Sequence, residues 1–139
     1  SFNKKIDQPR TESDWLSSQS TEVDKFVNDE YTGFLVSNQL IYETVKHMTR
    51  TANYSQLKKI NKQLPILMIS GKNDPFGEYG RGIKSLARKF KKAGIKHITV
   101  QLYANRRHEI LFEVDQQMIW NHMFDWIQKQ VLKNNQSEA

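Results

Sequence analysis

The 139-residue sequence contains no cysteine, which excludes a disulfide framework and any zinc or redox site built on thiolates. It has no apolar run near the about 20 residues that a membrane helix needs, and no signal-peptide pattern at its N-terminus. No Gly-x-Ser-x-Gly sequence occurs, and no serine lies at a strand-to-helix elbow. We therefore expect a cytoplasmic chain with no identifiable serine nucleophile.

The charge is positive, with 21 Lys and Arg against 15 Asp and Glu, a formal net charge of +6. An aromatic content of 11% is too high for a disordered chain. One helix pattern carries the basic residues Arg81, Lys84, Arg88, Lys91 and Lys92. This helix could bind an anionic surface as a non-catalytic module, or it could simply turn a charged face to water. Aromatic and basic residues do not interleave on a strand, so we expect no nucleic-acid partner.

The pattern of the chain changes at Gln63-Leu64-Pro65. Residues 1–62 read as short helices and loops without a strand, and residues 63–133 read as an α/β segment followed by a tail at 134–139, predicted to be disordered. Within the first segment, one helical stripe is formed by Leu40, Thr44, Val45 and Met48. We predict two short helices on either side of it, over Thr21–Val27 and Ser55–Lys62.

The α/β segment begins with the continuous apolar run Ile66–Ile69, which is typical of a strand buried on both faces. An amphipathic helix over Gly80–Gly94 and a second strand over His97–Tyr103 follow, and a helix over Val114–Lys133 ends the segment. Strand, helix and strand form a βαβ unit, so we predict two parallel strands. Ile98, Val100 and Leu102 alternate with Thr99, Gln101 and Tyr103, which predicts one solvent-exposed face, as on an edge strand.

Asp74 and His108 follow the two predicted strands. The carboxyl ends of parallel strands meet at one edge of a sheet, and neighbouring strands lie about 4.8 Å apart, so the two side chains can meet. An Asp that orients a His is the supporting half of a nucleophile–His–acid triad. The alternative is that Asp74 only begins a turn before Pro75 and that His108 is an exposed loop residue.

Other motifs point to weaker candidates. Ser70 lies at a strand end but lacks an elbow, so it is a poor nucleophile candidate. His108-Glu109 lacks the second histidine of a metal-binding His-Glu-x-x-His, and Gly77, Gly80 and Gly82 occur in the wrong order for a dinucleotide fingerprint. We expect neither a metal nor a cofactor.

The stretch PILMISGKNDPFGEYGRGIKSLARKFKKAGIKHITVQLYANRRHEILFE resembles the C-terminal part of bacterial α/β-hydrolases of the lysophospholipase or monoacylglycerol lipase type. In that family a Gly-x-x-Asp-Pro-x-Gly turn carries the triad acid and an Arg-His-Glu loop the triad histidine, roles that fall on Asp74 and His108. Arg10–Ser17, Glu22–Phe26 and Gly33-Phe34 are similar to the helical lid of the same family. The resemblance implies a lid over residues 1–62 and a partial α/β-hydrolase fold.

The resemblance also implies that the nucleophilic serine, its elbow and the oxyanion hole precede the lid, outside this chain. The chain alone should then be inactive, while the intact enzyme hydrolyses lipid-like esters through an acyl-serine. Trp15, Phe34 and Leu35, together with Phe26, are candidate substrate-binding residues that either line an acyl-chain groove or pack the lid. An unpaired edge at Ile66–Ser70 would favour a homodimer or a higher oligomer, and a weak contact with a membrane surface is possible.

Overall fold

Five α-helices and two strands make up the computed structural model, which describes residues 2–137 and the side chains as far as Leu132. In chain order they are α1 (Ser20–Asn28), α2 (Asn38–Thr51), α3 (Tyr54–Leu57), β1 (Ile66–Gly71), α4 (Arg81–Lys92), β2 (Ile98–Tyr103) and α5 (Gln116–Ser137). Short 3-10 turns at Glu78–Gly80 and Ile110–Phe112 precede α4 and α5. Each predicted helix has a counterpart, although the one predicted over Ser55–Lys62 ends at Leu57.

The two strands are parallel, as predicted, and α4 connects them. Their register places Ile66 opposite Ile98 and Gly71 opposite Tyr103, so both strands end at the same edge of the sheet. Gly80 adopts a left-handed conformation (φ 81°) at the start of α4, and a Cβ there would lie 2.9 Å from Leu102 Cδ1. The lack of a side chain at Gly80 therefore lets the start of α4 pack closely against β2.

Helix α5 covers part of the second face of β2, so the predicted solvent-exposed face is present at Thr99, which is exposed, but not at Tyr103. Tyr103 is buried, and with Ile110 and Ile119 it forms the core cluster beneath α5. Trp126 Nε1 donates a hydrogen bond to Thr99 Oγ1 (2.9 Å), and Gln101 Nε2 lies 3.0 Å from His122 Nδ1. The polar residues Thr99 and Gln101 therefore meet polar groups of a helix in addition to the water that the alternation had suggested.

The apolar stripe of α2 is exposed. The helix begins at Asn38, where Ser37 Oγ caps it by accepting a hydrogen bond from Leu40 N (3.2 Å). Leu40, Val45 and Met48 nevertheless keep 53%, 56% and 51% of their surface accessible. On the sheet, β1 pairs with β2 alone among the described residues, so its other edge is free. Apolar side chains and a strand edge are both left uncovered on this chain.

Helix α5 continues beyond the predicted end at Lys133. Its backbone is helical to Ser137, which includes most of the predicted tail at 134–139, while Glu138 and Ala139 lie outside the described residues. Within residues 2–137, no helix has the length and apolarity that a membrane crossing requires.

Candidate active site

Asp74 lies in a tight turn immediately after β1. Its backbone N–H donates to Gly71 O (3.3 Å), its own carbonyl accepts from Tyr79 N (2.8 Å), and its Oδ1 accepts from Phe76 N (2.8 Å). The carboxylate is almost fully buried, with 7% of the side chain exposed. A Cβ at Gly77 would lie 2.9 Å from Asp74 Oδ2, so a larger residue there would displace the carboxylate from its place in the turn.

The loop of residues 104–109 follows β2 and lies across the end of β1. Lys72 N donates to Tyr103 O and Asn73 N donates to Arg106 O, both at 2.8 Å. The two backbones touch at Gly71, where a Cβ would lie 2.1 Å from Arg106 O. A glycine at the end of β1 thus permits the contact that brings the two loops together.

The imidazole of His108 meets the carboxylate of Asp74, with 3.1 Å between Nδ1 and Oδ2. An ionised carboxylate can only accept a hydrogen bond, so this contact places a proton on Nδ1 and leaves Nε2 as the second functional atom of the ring. The His108 side chain is 32% exposed, compared with 7% for Asp74. The histidine can therefore exchange a proton with a reacting group while the aspartate fixes its tautomer.

Two aromatic rings flank the imidazole, and a third packs against both of them. Trp15 and Phe76 lie 4.9 and 5.4 Å from the ring of His108, and Phe2 lies 4.7 Å from Trp15 and 6.1 Å from Phe76, measured between centroids. Such contacts favour a single ring orientation. The structure thus brings Trp15, a predicted substrate-binding residue, directly against His108.

The segment Asp14–Ser18 runs beside the His108 loop. Glu109 N donates to Leu16 O (2.6 Å), and Arg107 Nη1 donates to the carbonyls of Asp14 (2.6 Å) and Ser17 (2.9 Å). Burial raises the pKa of Asp14, but hydrogen bonds from the Thr11 hydroxyl and from the Arg10 and Thr11 N–H groups outweigh it, so the net pKa is lowered. The Asp14 carboxylate therefore stabilises the turn formed by residues 10–14.

A bidentate ion pair anchors the other end of the same loop. Arg106 Nε and Nη2 donate to the two carboxylate oxygens of Asp115 at 2.6 and 3.0 Å. These hydrogen bonds lower the pKa of Asp115 and raise that of Arg106. The Arg106–Asp115 pair joins the loop to the start of α5. The charge of Asp115 also acts on Tyr103, whose pKa is raised mainly by burial and secondarily by this charge.

A pocket of about 270 Å³ opens next to the site, between α1 and the Ile110–Phe112 turn. It is lined by Leu16 and Glu109, which follow Trp15 and His108 in sequence, and by Phe26 and Phe112. Phe34 and Leu35 lie on the loop before α2, 65% and 100% exposed, and the structure does not place them in this pocket.

The remaining candidates do not join the site. Ser70 is buried and its hydroxyl donates to Gly71 O (3.3 Å). Within residues 2–137, no group of three or more His, Asp or Glu side chains is arranged to hold a metal ion. Sequence reasoning missed Phe76, which borders the imidazole, and Glu113, which is fully buried; a lone carboxylate in the apolar run Ile110–Val114 is the signal that could have found Glu113.

Comparison with known proteins agrees with this geometry. A family model described as "Serine aminopeptidase, S33" matches residues 2–115. Of the solved structures, a highly thermostable carboxyl esterase from Bacillus coagulans, in complex with glycerol, is similar with a TM-score of 0.77 and 26% identity, over 94% of this chain and 42% of the esterase. A lipase in its open form is similar with a TM-score of 0.69 and 20% identity, over 84% of this chain and 38% of the lipase. No curated protein sequence matches.

These likenesses confirm the predicted partial α/β-hydrolase fold, with helices and two parallel strands in one sheet. The chain spans about two fifths of the length of the solved structures it matches.

Proposed function

We propose that this chain, which belongs to the serine aminopeptidase S33 family of hydrolases, supplies the acid and the histidine of a Ser–His–Asp ester hydrolase. The observation that carries the proposal is the contact of 3.1 Å between His108 Nδ1 and Asp74 Oδ2 at the common end of two parallel strands. From the resemblance of the Asp74 and His108 motifs we propose that the substrate is a lipid-like ester, a lysophospholipid or a monoacylglycerol.

In this mechanism His108 acts first as general base and then as general acid. Its Nε2 takes the serine proton as the serine Oγ attacks the ester carbonyl carbon, and it gives that proton to the alcohol as the ester C–O bond breaks. A water molecule, deprotonated by the same Nε2, then attacks the acyl carbon, and Nε2 returns the proton to the serine Oγ as the bond between the acyl carbon and Oγ breaks. Asp74 stabilises the imidazolium through Nδ1–H, and its bond from Phe76 N fixes the carboxylate.

The nucleophile is proposed to come from a part of the protein outside this chain. Among the described residues, no serine hydroxyl is hydrogen-bonded to His108; Ser17 Oγ donates to Phe112 O, and Ser18 Oγ to the carboxylate of Glu113. The exposed stripe of α2 and the free edge of β1 are the surfaces that such a part would cover. On this proposal the 139-residue chain is inactive by itself.

The first test is labelling with a fluorophosphonate serine probe, applied to this chain and to a longer form of the protein that includes it. We expect label on the longer form only, and loss of esterase activity of about 10⁴-fold in its Asp74→Asn variant. His97→Ala is the matched control, because His97 is an exposed histidine at the opposite end of β2. Label on the short chain would refute the division of the triad and would make Ser70 the first residue to replace.

The acyl group is proposed to lie against the lid, along Trp15 and the pocket lined by Leu16, Phe26 and Phe112. Phe34 and Leu35 would extend this groove from the loop before α2. In the longer form, Phe26→Asp and Phe34→Asp should reduce activity on long acyl esters more than on short ones. If both variants kept the same preference between long and short acyl esters, the proposed acyl-chain groove would be refuted.

The basic helix α4 offers the competing function. Arg81, Lys84, Arg88, Lys91 and Lys92 are all exposed, as a surface for anionic lipid requires. Salt-sensitive vesicle binding that is unaffected by Asp74→Asn, together with no probe label on either form, would favour this non-catalytic function.

The free edge of β1 also supports a proposal about assembly. The 139-residue chain alone should form a dimer through Ile66–Ser70, because an exposed strand edge pairs with another strand. A monomer of 16.4 kDa in light scattering at high concentration would contradict this.

A further inference from the structure

Glu113 is the most deeply buried charged side chain of the described residues, with none of its surface exposed. Its Oε1 accepts from Arg107 N (2.7 Å) and from Ser18 N (3.1 Å), and its Oε2 accepts from Ser18 Oγ. The three donors come from two segments that are far apart in sequence. One carboxylate therefore joins the His108 loop to the segment Asp14–Ser18.

Among the residues whose side chains the structure describes, no cationic group donates a hydrogen bond to this carboxylate, although its charge helps to raise the pKa of Arg106. The guanidinium of Arg107 is used by the carbonyls of Asp14 and Ser17, and that of Arg106 by Asp115. Removing a carboxylate from water costs free energy, whereas burying an apolar side chain of similar size is favourable, and hydrogen bonds only partly compensate for the cost of the carboxylate. A contribution to the free energy of folding is therefore a poor explanation for a buried glutamate at this position.

The position of its partners gives a better explanation. Arg107 directly precedes His108, so a bond to Arg107 N fixes the backbone from which the imidazole extends. Ser18 ends the segment whose Trp15 ring lies 4.9 Å from the imidazole and whose Leu16 carbonyl accepts from Glu109 N. Glu113 therefore fixes the position of the His108 loop relative to the segment Asp14–Ser18, which carries Trp15.

We propose that Glu113 is a positioning residue that keeps His108 aligned with Asp74 and against Trp15. This role rests on the proposed function, in which that alignment serves proton transfer. Glu113 itself touches neither the imidazole nor a substrate in this arrangement; it acts through Arg107 N and Ser18.

The test is the rate at which the proton on His108 Nδ1 exchanges with water, measured by NMR on the ¹⁵N-labelled 139-residue chain. Glu113→Ala leaves the donors of Arg107 and Ser18 unpaired, and we expect exchange at least about tenfold faster. Glu113→Gln keeps one carbonyl acceptor but loses the charge, for which we expect about a fivefold increase. Glu109→Gln is the control, because it makes the same change on an exposed residue beside His108.

An internal reference separates positioning from general stability. The indole proton of Trp126, bonded to Thr99 Oγ1, belongs to the contact between α5 and β2. A merely structural role for Glu113 would accelerate the Trp126 and His108 protons equally, whereas a positioning role accelerates His108 alone. Unchanged His108 exchange in Glu113→Ala would overturn the proposal, and Glu113→Gln decides if the alanine variant does not fold.

The readout needs no nucleophile, so it is independent of the serine-probe experiment. If the probe labelled no form of the protein, the proposed serine-hydrolase activity would be refuted. The effect of Glu113 on proton exchange at His108 would still be measurable.

Discussion

Replacement of Gly71 by alanine should separate the two halves of the candidate site. The new Cβ would lie 2.1 and 2.2 Å from the carbonyl oxygens of Arg106 and Arg107, and 2.3 Å from the carbonyl carbon of Arg106. Both groups are backbone, so no flexible side chain can yield. Ordinary contact begins at 3.4 Å, so the loop must move from 2.1 to 3.4 Å, a shift of about 1.3 Å.

A shift of this size would break the bonds that the loop makes to β1. The bond from Asn73 N to Arg106 O, now 2.8 Å, and the contact between His108 and Asp74, now 3.1 Å, would both exceed hydrogen-bonding distance if the loop moved directly away. Overpacking typically costs about 1–3 kcal/mol, and the lost bonds add to it. We expect the free energy of unfolding to fall by at least about 3 kcal/mol.

The assay is urea denaturation of the 139-residue chain, combined with NMR detection of the His108 Nδ1 proton. Gly33→Ala is the control, because a Cβ there has ordinary space, 3.6 Å from Phe26, but the backbone is left-handed (φ 66°). Its expected cost is about 1–2 kcal/mol, with the His108 signal unchanged. A Gly71→Ala variant within about 1 kcal/mol of the parent that retained the His108 signal would refute the steric argument.

Two further predictions concern charged groups outside the Asp74–His108 pair. Arg106→Lys should lower the free energy of unfolding by about 1 kcal/mol, since lysine cannot make both bonds to Asp115; Arg10→Lys, in an exposed pair with Asp24, should change it by under about 0.5 kcal/mol. Equal effects in thermal unfolding would contradict this contrast. The lowered pKa values of Asp14 and Asp115 contribute stability that is present above the usual value of 3.8 and lost as the pH falls through the folded-state values. The urea midpoint should therefore drop below about pH 4, less steeply in Asp115→Asn; an identical pH profile in that variant would show that its carboxylate plays no part.

The βαβ unit and the meeting of Asp74 with His108 could be predicted from sequence because both follow from position along the chain. Residues that end two parallel strands joined by one helix must lie at one edge of the sheet, whatever the rest of the protein does. The contact of 3.1 Å between the two side chains agrees with that reasoning. Their catalytic roles stay a prediction that the serine probe and the Asp74→Asn variant will test.

What each face packs against could not be read from the same patterns. Alternation in β2 marks Thr99 and Gln101 as polar, but a pattern does not distinguish water from Trp126 or His122 as the partner. The stripe of α2 likewise predicts a helix with an apolar face without saying what covers it. The roles of Arg107 and Glu113 depend on contacts with residues 90 to 95 positions away, which no local window contains.

Those separations in sequence have a consequence for the order in which the chain folds. Asp74 and His108 are 34 residues apart, whereas Ser18 and Glu113 are 95 apart. The longer loop costs about 0.9 kcal/mol more in closure entropy, and its contacts must wait for the His108 loop and the start of α5 to exist as a surface. Folding that proceeds from near to distant contacts would let the imidazole meet its aspartate before the tryptophan docks, with burial of the glutamate as the closing step.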